Sequence, residues 1–372
     1  MKFIVSSSTL LKNLQHISGV ISSNTVLPIL EDFLFEVDEN QLTIMATDLE
    51  TIMKVKLEVQ AKSSGRVCIP AKIMIDYLKN LPEQPLTYDI NVNDYSIDIT
   101  SDQGKYKIVG ESAENFPKEP VADESTSFIM PASALNEGIN KTIFAVSGDD
   151  LRPAMTGVYF ELNPGDITLV ATDAHRLVKF SRNDISCPKQ DSFIVPRKPL
   201  QQLKSALPSD GTPVRLAYNN NFLFVESGNL TLSCRLIEAR FPDYKVVIPP
   251  DNPYLLTVNR ADFVSALKRV SVFANKTTNQ VALSIKGNEL QLNAQDVDFS
   301  FEGSERMSCM YNGQDMQIAF NAKLLVEMAN ALDSGEVNVE LSTPTKAGIL
   351  KPVEKEENED VLMLLMPLMI NN

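Results

Sequence analysis

The chain repeats itself at a period of about 125 residues, and a long internal period limits the fold to copies of one supersecondary unit set side by side. ATDLE begins at Ala46 and ATDAH at Ala171, 125 positions apart. Pro70 in CIPAKIMIDYLKNLP and Pro196 in IVPRKPLQQLKSALP are separated by 126, and Phe116-Pro117 and Phe241-Pro242 by 125. Chance is a poor account of three landmarks in one order at one spacing. The third copy is more diverged. QLNAQDVDFSFE from Gln291 stands where QLTIMATDLE stood, and MQIAFNAKLLVEMANAL from Met316 sets Asn321 251 positions after Pro70. The 372 residues therefore divide into units at 1–121, 127–249 and 254–372. The connections, KEPVADESTS and VIPPDNPY, are rich in proline, acidic or small polar residues.

Each unit carries the same order of elements. A helix comes first: Leu10, Leu14, Ile17 and Ile21 are matched by Leu135, Ile139, Ile143 and Val146, and by Phe263, Leu267, Val270 and Ala274. Each set is one apolar stripe with a polar face opposite. Strands such as QLTIMATD, ITLVATDA and ELQLNAQD follow. A second helix is marked by Ile73-Tyr77-Leu81, Leu200-Leu203-Leu207 and Leu324-Met328-Leu332. Pro70, Pro196 and Pro199 suit its start, where a missing amide proton costs nothing, and Asn321 suits an N-cap. LTYDINVNDYSIDITSD and VRLAYNNNFLFVESG read as hairpins around Asn- and Asp-containing turns. The expected class is α+β, with about two helices and roughly eight strands per unit.

Chemistry-bearing motifs are missing. The four cysteines (Cys68, Cys187, Cys234, Cys309) form no CxxC, and His16 and His175 are the only histidines. Neither a zinc site nor a disulfide framework is expected, and a reducing compartment fits. The start, MKFIVSSSTLLKNLQ, lacks an apolar signal region, and VLMLLMPLMI near the end is strand-length and holds a proline. A cytoplasmic protein is expected. No GxxxxGK[ST], HExxH or GxSxG occurs, so neither catalysis nor a cofactor is expected.

The net charge of −14 argues against a simple basic nucleic-acid binder, yet its placement is uneven. The proposed helices, 7–21, 70–81, 131–145, 196–207, 260–273 and 321–332, hold eleven basic and four acidic residues. They carry +7 and leave −21 for the strands and loops. Basic side chains on exposed helix faces are one account of this. The other is that all six helices line a surface that meets a polyanion without base readout, in a salt-dependent manner.

ATDAHRL at 171–177, IVPRK at 194–198, RFPDY at 240–244, MPL at 366–368 and the opening MKFIVSSSTLLKNLQHISGVI with LPIL at 27–30 closely resemble the bacterial replicative sliding clamps, the beta subunits of DNA polymerase III. The resemblance runs the whole chain in order and includes the threefold repeat. It implies three clamp domains per chain and a head-to-tail homodimeric ring of six, with helices lining the hole and sheets outside. Duplex DNA would pass through, held by topology. The clamp would tether the replicative polymerase and confer processivity, with ATP hydrolysis left to a separate loader.

The resemblance also implies sites. A pocket for short linear peptides of polymerase, loader and repair proteins would use Met155, Thr172, His175, Arg176, Leu177, Pro242, Val247, Met366, Pro367 and Leu368. Its apolar members would form an adaptable cleft, and His175 and Arg176 would hold the polar part of the peptide. The chain departs from the family's usual ending in Arg-Leu, with Met369 and Ile370 following MPL. DNA-facing groups would be Lys12, Lys72, Lys79, Lys141, Arg197, Lys198, Lys204, Lys268, Arg269 and Lys323. Two loops would add Asn24, where arginine is frequent in the family, and Arg152. The seam would set Lys105, Tyr106, Lys107 and Ile108 of one protomer against Glu302 and Glu305 of the other, with Val272 and Phe273 giving apolar contact.

Bland alternatives stand beside these. The pocket residues also suit an interdomain core, the 105–108 edge suits a strand blunted by lysines, and EKEENED at 354–360 suits a solvated hairpin tip. A hydrolase built on Asp173 and His175 lacks a nucleophile, and a scaffold unrelated to DNA would lack a closed ring.

Overall fold

The computed structural model describes residues 1–22 and 27–370. The chain forms two compact units, Met1–Asn136 with Val195–Leu236, and Glu137–Ile194 with Ile237–Asn372.

All six expected helices are present: α1 Ser7–Ser18, α2 Ala71–Lys79, α3 Ala132–Thr142, α4 Arg197–Ala206, α5 Arg260–Val270 and α6 Ala322–Asn330. They are shorter than the apolar periodicity. The stripe of α3 runs on into the 3-10 turn Ile143–Ala145, which buries Ile143 and Ala145, whereas the 3-10 turn Ser271–Phe273 after α5 buries none of its residues and leaves Val272 and Phe273 exposed. Asn321 caps α6 by accepting the amides of Lys323 and Leu324, and Ser6 and Asn259 cap α1 and α5. Pro70 and Pro196 occupy the N-cap positions of α2 and α4. One stripe differs from expectation. The buried face of α2 is Ala71, Met74 and Leu78, while Ile73 is exposed and the Tyr77 ring lies 4.6 Å from that of Tyr106. Ile73 and Tyr77, one turn apart, form a second apolar strip beside the strand Lys105–Val109.

In the first unit a five-stranded sheet includes Lys2–Ser6 and ends at Lys105–Val109. An eight-stranded sheet combines four strands of the second repeat with four of the first. They meet where Leu230–Arg235 pairs antiparallel with Thr51–Glu58, Cys234 opposite Thr51 and Leu230 opposite Val55. α1 packs against α2 and α4 over a core that includes Phe3, Leu10, Leu14, Phe33 and Phe35.

The second unit repeats the device. Its nine-stranded sheet joins strands of the second and third repeats where Arg176–Arg182 pairs antiparallel with Glu359–Leu365, Arg176 opposite Leu365. A four-stranded sheet runs from Phe301–Ser308 at one edge to Met316–Asn321 at the other. Gly138 lets α3 lie on the nine-stranded sheet, since a Cβ there would come within 2.9 Å of Leu169 and 3.2 Å of Phe180.

The four cysteines are buried free thiols, and burial lifts those of Cys68, Cys187 and Cys234 to about 12, 11 and 12. Among the described residues no helix is long and apolar enough to cross a membrane.

Candidate functional site

The ATD motifs are tight turns rather than strand. Thr172 closes one strand, Arg176 opens the next, and Ala174 between them has φ of 74°. The Thr172 hydroxyl donates to the Arg176 carbonyl at 2.7 Å, and Asp173 Oδ1 accepts the amides of His175 and Arg176 at 3.0 Å each. The first repeat makes the same turn. Leu49 has φ of 80°, the Thr47 hydroxyl donates to the Thr51 carbonyl at 2.9 Å, and Asp48 Oδ1 accepts the amides of Glu50 and Thr51. Asp173 is thereby held by backbone, and its Oδ2 accepts from Arg176 Nε at 3.0 Å. The pairing of Asp173 with His175 across one strand face therefore fails, and the hydrolase reading loses its geometry.

Arg176 also departs from expectation. It is only 6 % exposed, and its donors are spent on Asp173, on Glu327 Oε2 of α6 at 2.6 Å and on the Phe144 carbonyl at 2.6 Å, with the Phe144 ring 5.1 Å from the guanidinium carbon. The guanidinium ties the second repeat to α6 and does not face a ligand. His175 is exposed, and its carbonyl accepts the Met366 amide at 2.9 Å.

Leu177 is buried with Val170, Ile194, Phe241, Tyr244, Ala347 and Leu364, so it forms floor rather than surface. Tyr159 stacks on Phe241 at 4.6 Å, and the Tyr244 hydroxyl donates to Glu161. This floor fixes the segment after RFPDY. Pro242 is exposed, as is Val247 at 51 %. Met366 is 44 % exposed, Pro367 and Leu368 are half-buried, and the Leu368 amide donates to the Ala319 carbonyl at 2.8 Å. Thr172 is buried in the turn, and Met155 is half-buried at the end of the 3-10 turn Pro153–Met155.

Val247 and Met366 share the lining of a cavity of about 700 Å³. Its remaining walls come from Pro249–Tyr254 and the 342–347 loop, which the sequence reading missed. The prolines of VIPPDNPY signalled a stiff segment. The facing loop, about 90 residues away, carried no signal.

The helix cations divide. Lys12, Lys72, Lys79, Arg197, Lys204, Lys268 and Lys323 are exposed. Lys141 is not: its side chain is 5 % exposed and its ammonium is paired to Asp333, so it cannot present charge to DNA. Lys198 donates to Asp48 Oδ2 and to the Val20 carbonyl, and Arg269 clasps Glu305. Both are exposed enough to be seen by a polyanion but partly neutralised. Arg152 is paired with Asp149 at 2.8 Å. Asn24 lies outside the described residues.

The seam candidates lie on free edges. Lys105–Val109 is the outer strand of the five-stranded sheet, and Phe301–Ser308 that of the four-stranded sheet. Tyr106, Val109, Val272, Phe273, Phe299 and Phe301 leave large apolar area exposed beside them. Glu305 departs from expectation, because Arg269 of its own chain already holds it through both oxygens and leaves Glu302 as the open carboxylate.

Family models of the DNA polymerase III beta subunit match in order: the N-terminal domain at residues 1–120, the central domain at 129–243 and the C-terminal domain at 245–368. The chain is 30 % identical over 376 residues to a beta sliding clamp of Synechocystis, covering 95 % of this chain and 96 % of that one. To the beta sliding clamp of Haemophilus influenzae it is 28 % identical over 364 residues, covering 98 % and 99 %. The fold superposes on a sliding clamp of Pseudomonas aeruginosa bound to griselimycin with a TM-score of 0.94, 25 % identity and full coverage of both chains. The three repeats are three clamp domains, and the chain belongs to the bacterial DNA polymerase III beta subunit family, the beta sliding clamps.

Proposed function

We propose that two copies of this chain close head to tail into a six-domain ring that encircles duplex DNA without reading its sequence. The repeated joint carries this reading. Thr51–Glu58 and Arg176–Arg182 each pair with the last strand of the following domain, Leu230–Arg235 and Glu359–Leu365. The equivalent of the first pair of strands in the third domain is Phe301–Ser308, and the equivalent of the second pair in the first domain is Lys105–Val109. Both remain as open edges within one chain. A second copy completes that joint twice, which closes the assembly and covers both of these edges.

The observed register of the first joint, Leu232 opposite Met53, Ser233 opposite Ile52 and Cys234 opposite Thr51, transfers to the seam. The transfer keeps inward-facing residues on one side of the sheet. It sets Tyr106 opposite Gly303, Lys107 opposite Glu302 and Ile108 opposite Phe301. Lys105 then falls opposite Ser304, diagonal to Glu302.

The ring acts as a tether and performs no chemistry. The exposed helix cations attract phosphate loosely, so DNA is retained by enclosure and slides. Replicative polymerase, clamp loader and repair proteins dock through short peptides on the cleft of Pro242, Val247, Met366, Pro367 and Leu368, over the floor of Leu177. The domains run 1–121, 127–249 and 254–372, and the protein works in the cytoplasm.

The test is mass in solution with a charge swap. Wild type should run at twice the 41.2 kDa of the chain at micromolar concentration. Lys107→Glu should weaken the dimer, and adding Glu302→Lys should restore it. A persistent monomer would sink the ring, and a swap without rescue would sink the register.

A further inference from the structure

We propose that the third domain offers a track for an extended, polar segment of another protein carrying an arginine or lysine, in the place that the chain's own connecting segments occupy in the first two domains. The three places correspond through their ladders. Leu34 lies opposite Met45 and Cys68, Tyr159 opposite Val170, and Ala282 opposite Asn293 and Ala319. In each domain the chain then returns to the same edge. The amides of Glu111, Ile237 and Leu368 donate to the carbonyls of Cys68, Ile194 and Ala319 at 2.9, 3.0 and 2.8 Å.

The three copies part from there. Onward from Glu111 the chain reaches Phe116, which is buried with Leu34 and Cys68 and has Met45 packed against it. Onward from Ile237 it reaches Phe241, which stacks on Tyr159 at 4.6 Å and is buried with Val170 and Ile194. Beyond Leu368, Ile370 instead joins Ala282, Asn293 and Gln317 in the wall of a cavity of about 530 Å³, and no aromatic ring lines it among the described residues. Leucine or tyrosine and methionine or valine fill the first two places, whereas alanine and asparagine leave the third open. This cavity shares no lining residue with the one behind Val247 and Met366.

The lining fits a polypeptide backbone with one cationic side chain. Gln280, Gln295 and Gln317 make no side-chain hydrogen bond among the described residues. Each carboxamide carries donors and an acceptor together, the complement of a peptide C=O and N–H. Extended chain already occupies this place in the first domain, where Phe116 has φ of −67° and ψ of 134°. Asp298 and Glu302 are the charged members of the lining, both exposed and without an ion pair among the described residues. The proposed ring commits Glu302 to Lys107 across the seam, which leaves Asp298 to receive the incoming cation.

The probe is an octapeptide of serine, threonine and asparagine with a central arginine and a diazirine-bearing leucine at one end. Photolysed with the full chain at low salt, it should attach within 275–282, 293–298 or at 317 when digests are mapped by mass spectrometry. Replacing its arginine by glutamine should lower the yield about three- to fivefold, the scale of one exposed charge pair. Asp298→Asn should bring the arginine peptide down to the glutamine level. Ala282→Leu, which restores the side chain of the first domain, should fill the cavity and abolish attachment there by both peptides at unchanged mass and thermal midpoint. No attachment, attachment only elsewhere, or equal yields from the two peptides overturns the proposal, as does an arginine preference that survives Asp298→Asn. Should Ala282→Leu destabilise the chain, the Asp298→Asn result decides alone.

Discussion

The joint between the first and second domains and the joint between the second and third share a ladder, a strand direction and a turn. In both turns the threonine hydroxyl donates four residues ahead, aspartate Oδ1 takes two amides, and the residue between is left-handed. They differ in what neutralises the second aspartate oxygen. Asp48 is met by Lys198, a half-exposed lysine from α4, whereas Asp173 is met by Arg176 on its own strand. Arg176 is buried and goes on to Glu327 and the Phe144 carbonyl. At the opposite end of the second joint, Arg182 pairs with Glu137 and Asp184, and Glu359 lies against Glu137. One backbone plan therefore yields a joint whose ion pairs, Lys198–Asp48 and Arg235–Glu50, use exposed cations in one place, and a joint centred on a buried guanidinium in another. The joint with the buried guanidinium is the one that carries His175 and Met366.

Removing the cation from each joint should separate them most widely. Arg176→Ala strips a buried hub and should cost about 3 kcal/mol, with amide protection lost in 176–182 and 359–365 but kept in 51–58. Hydrogen exchange reads this directly, and uniform loss across both joints would erase the contrast. Lys198→Ala should cost about 1 kcal/mol or less, because that lysine is half in water.

Acidity should act on the second joint in a defined direction. Burial, then a hydrogen bond to Glu137, lifts the Glu359 carboxyl to about 7, against opposing pull from Lys141 and Arg182. A raised carboxyl favours the protonated folded state. Its contribution is full below the ordinary glutamate range and is lost as pH rises through about 7. Protection of 359–365 should therefore fall between pH 5 and 8 in wild type, and Glu359→Gln should flatten the profile. A profile that Glu359→Gln leaves unchanged would place the proton elsewhere.

The smallest effect should be shared by both joints. Leu49→Gly and Ala174→Gly relieve a left-handed backbone and should each stabilise by a few tenths of a kcal/mol in urea titration. Opposite signs would show that the turns are less alike than their hydrogen bonds.

The repeat, the six helices and most of their buried faces were legible because period and stripe are local properties. The face of α2 was misread because Ile73 and Tyr77 form a second apolar strip, and periodicity does not say which of two strips is inside. The fates of Lys141 and Arg176 were hidden for another reason. Their partners, Asp333 and Glu327, lie 192 and 151 residues away, and such separations leave no trace in spacing. The cavity shared by Val247 and Met366 was hidden as well, because its other walls are two loops about 90 residues apart that only folding brings together.

The four buried thiols have a practical consequence. With Cys68, Cys187 and Cys234 pushed to about 11 or 12 and Cys309 also raised by burial, few thiolates are expected near neutrality, and the native background towards maleimides and oxidants should be low. A reporter pair made as Lys107→Cys and Glu302→Cys would stand out without deleting any native cysteine. Its oxidation state would then count, molecule by molecule, how often the proposed seam is shut.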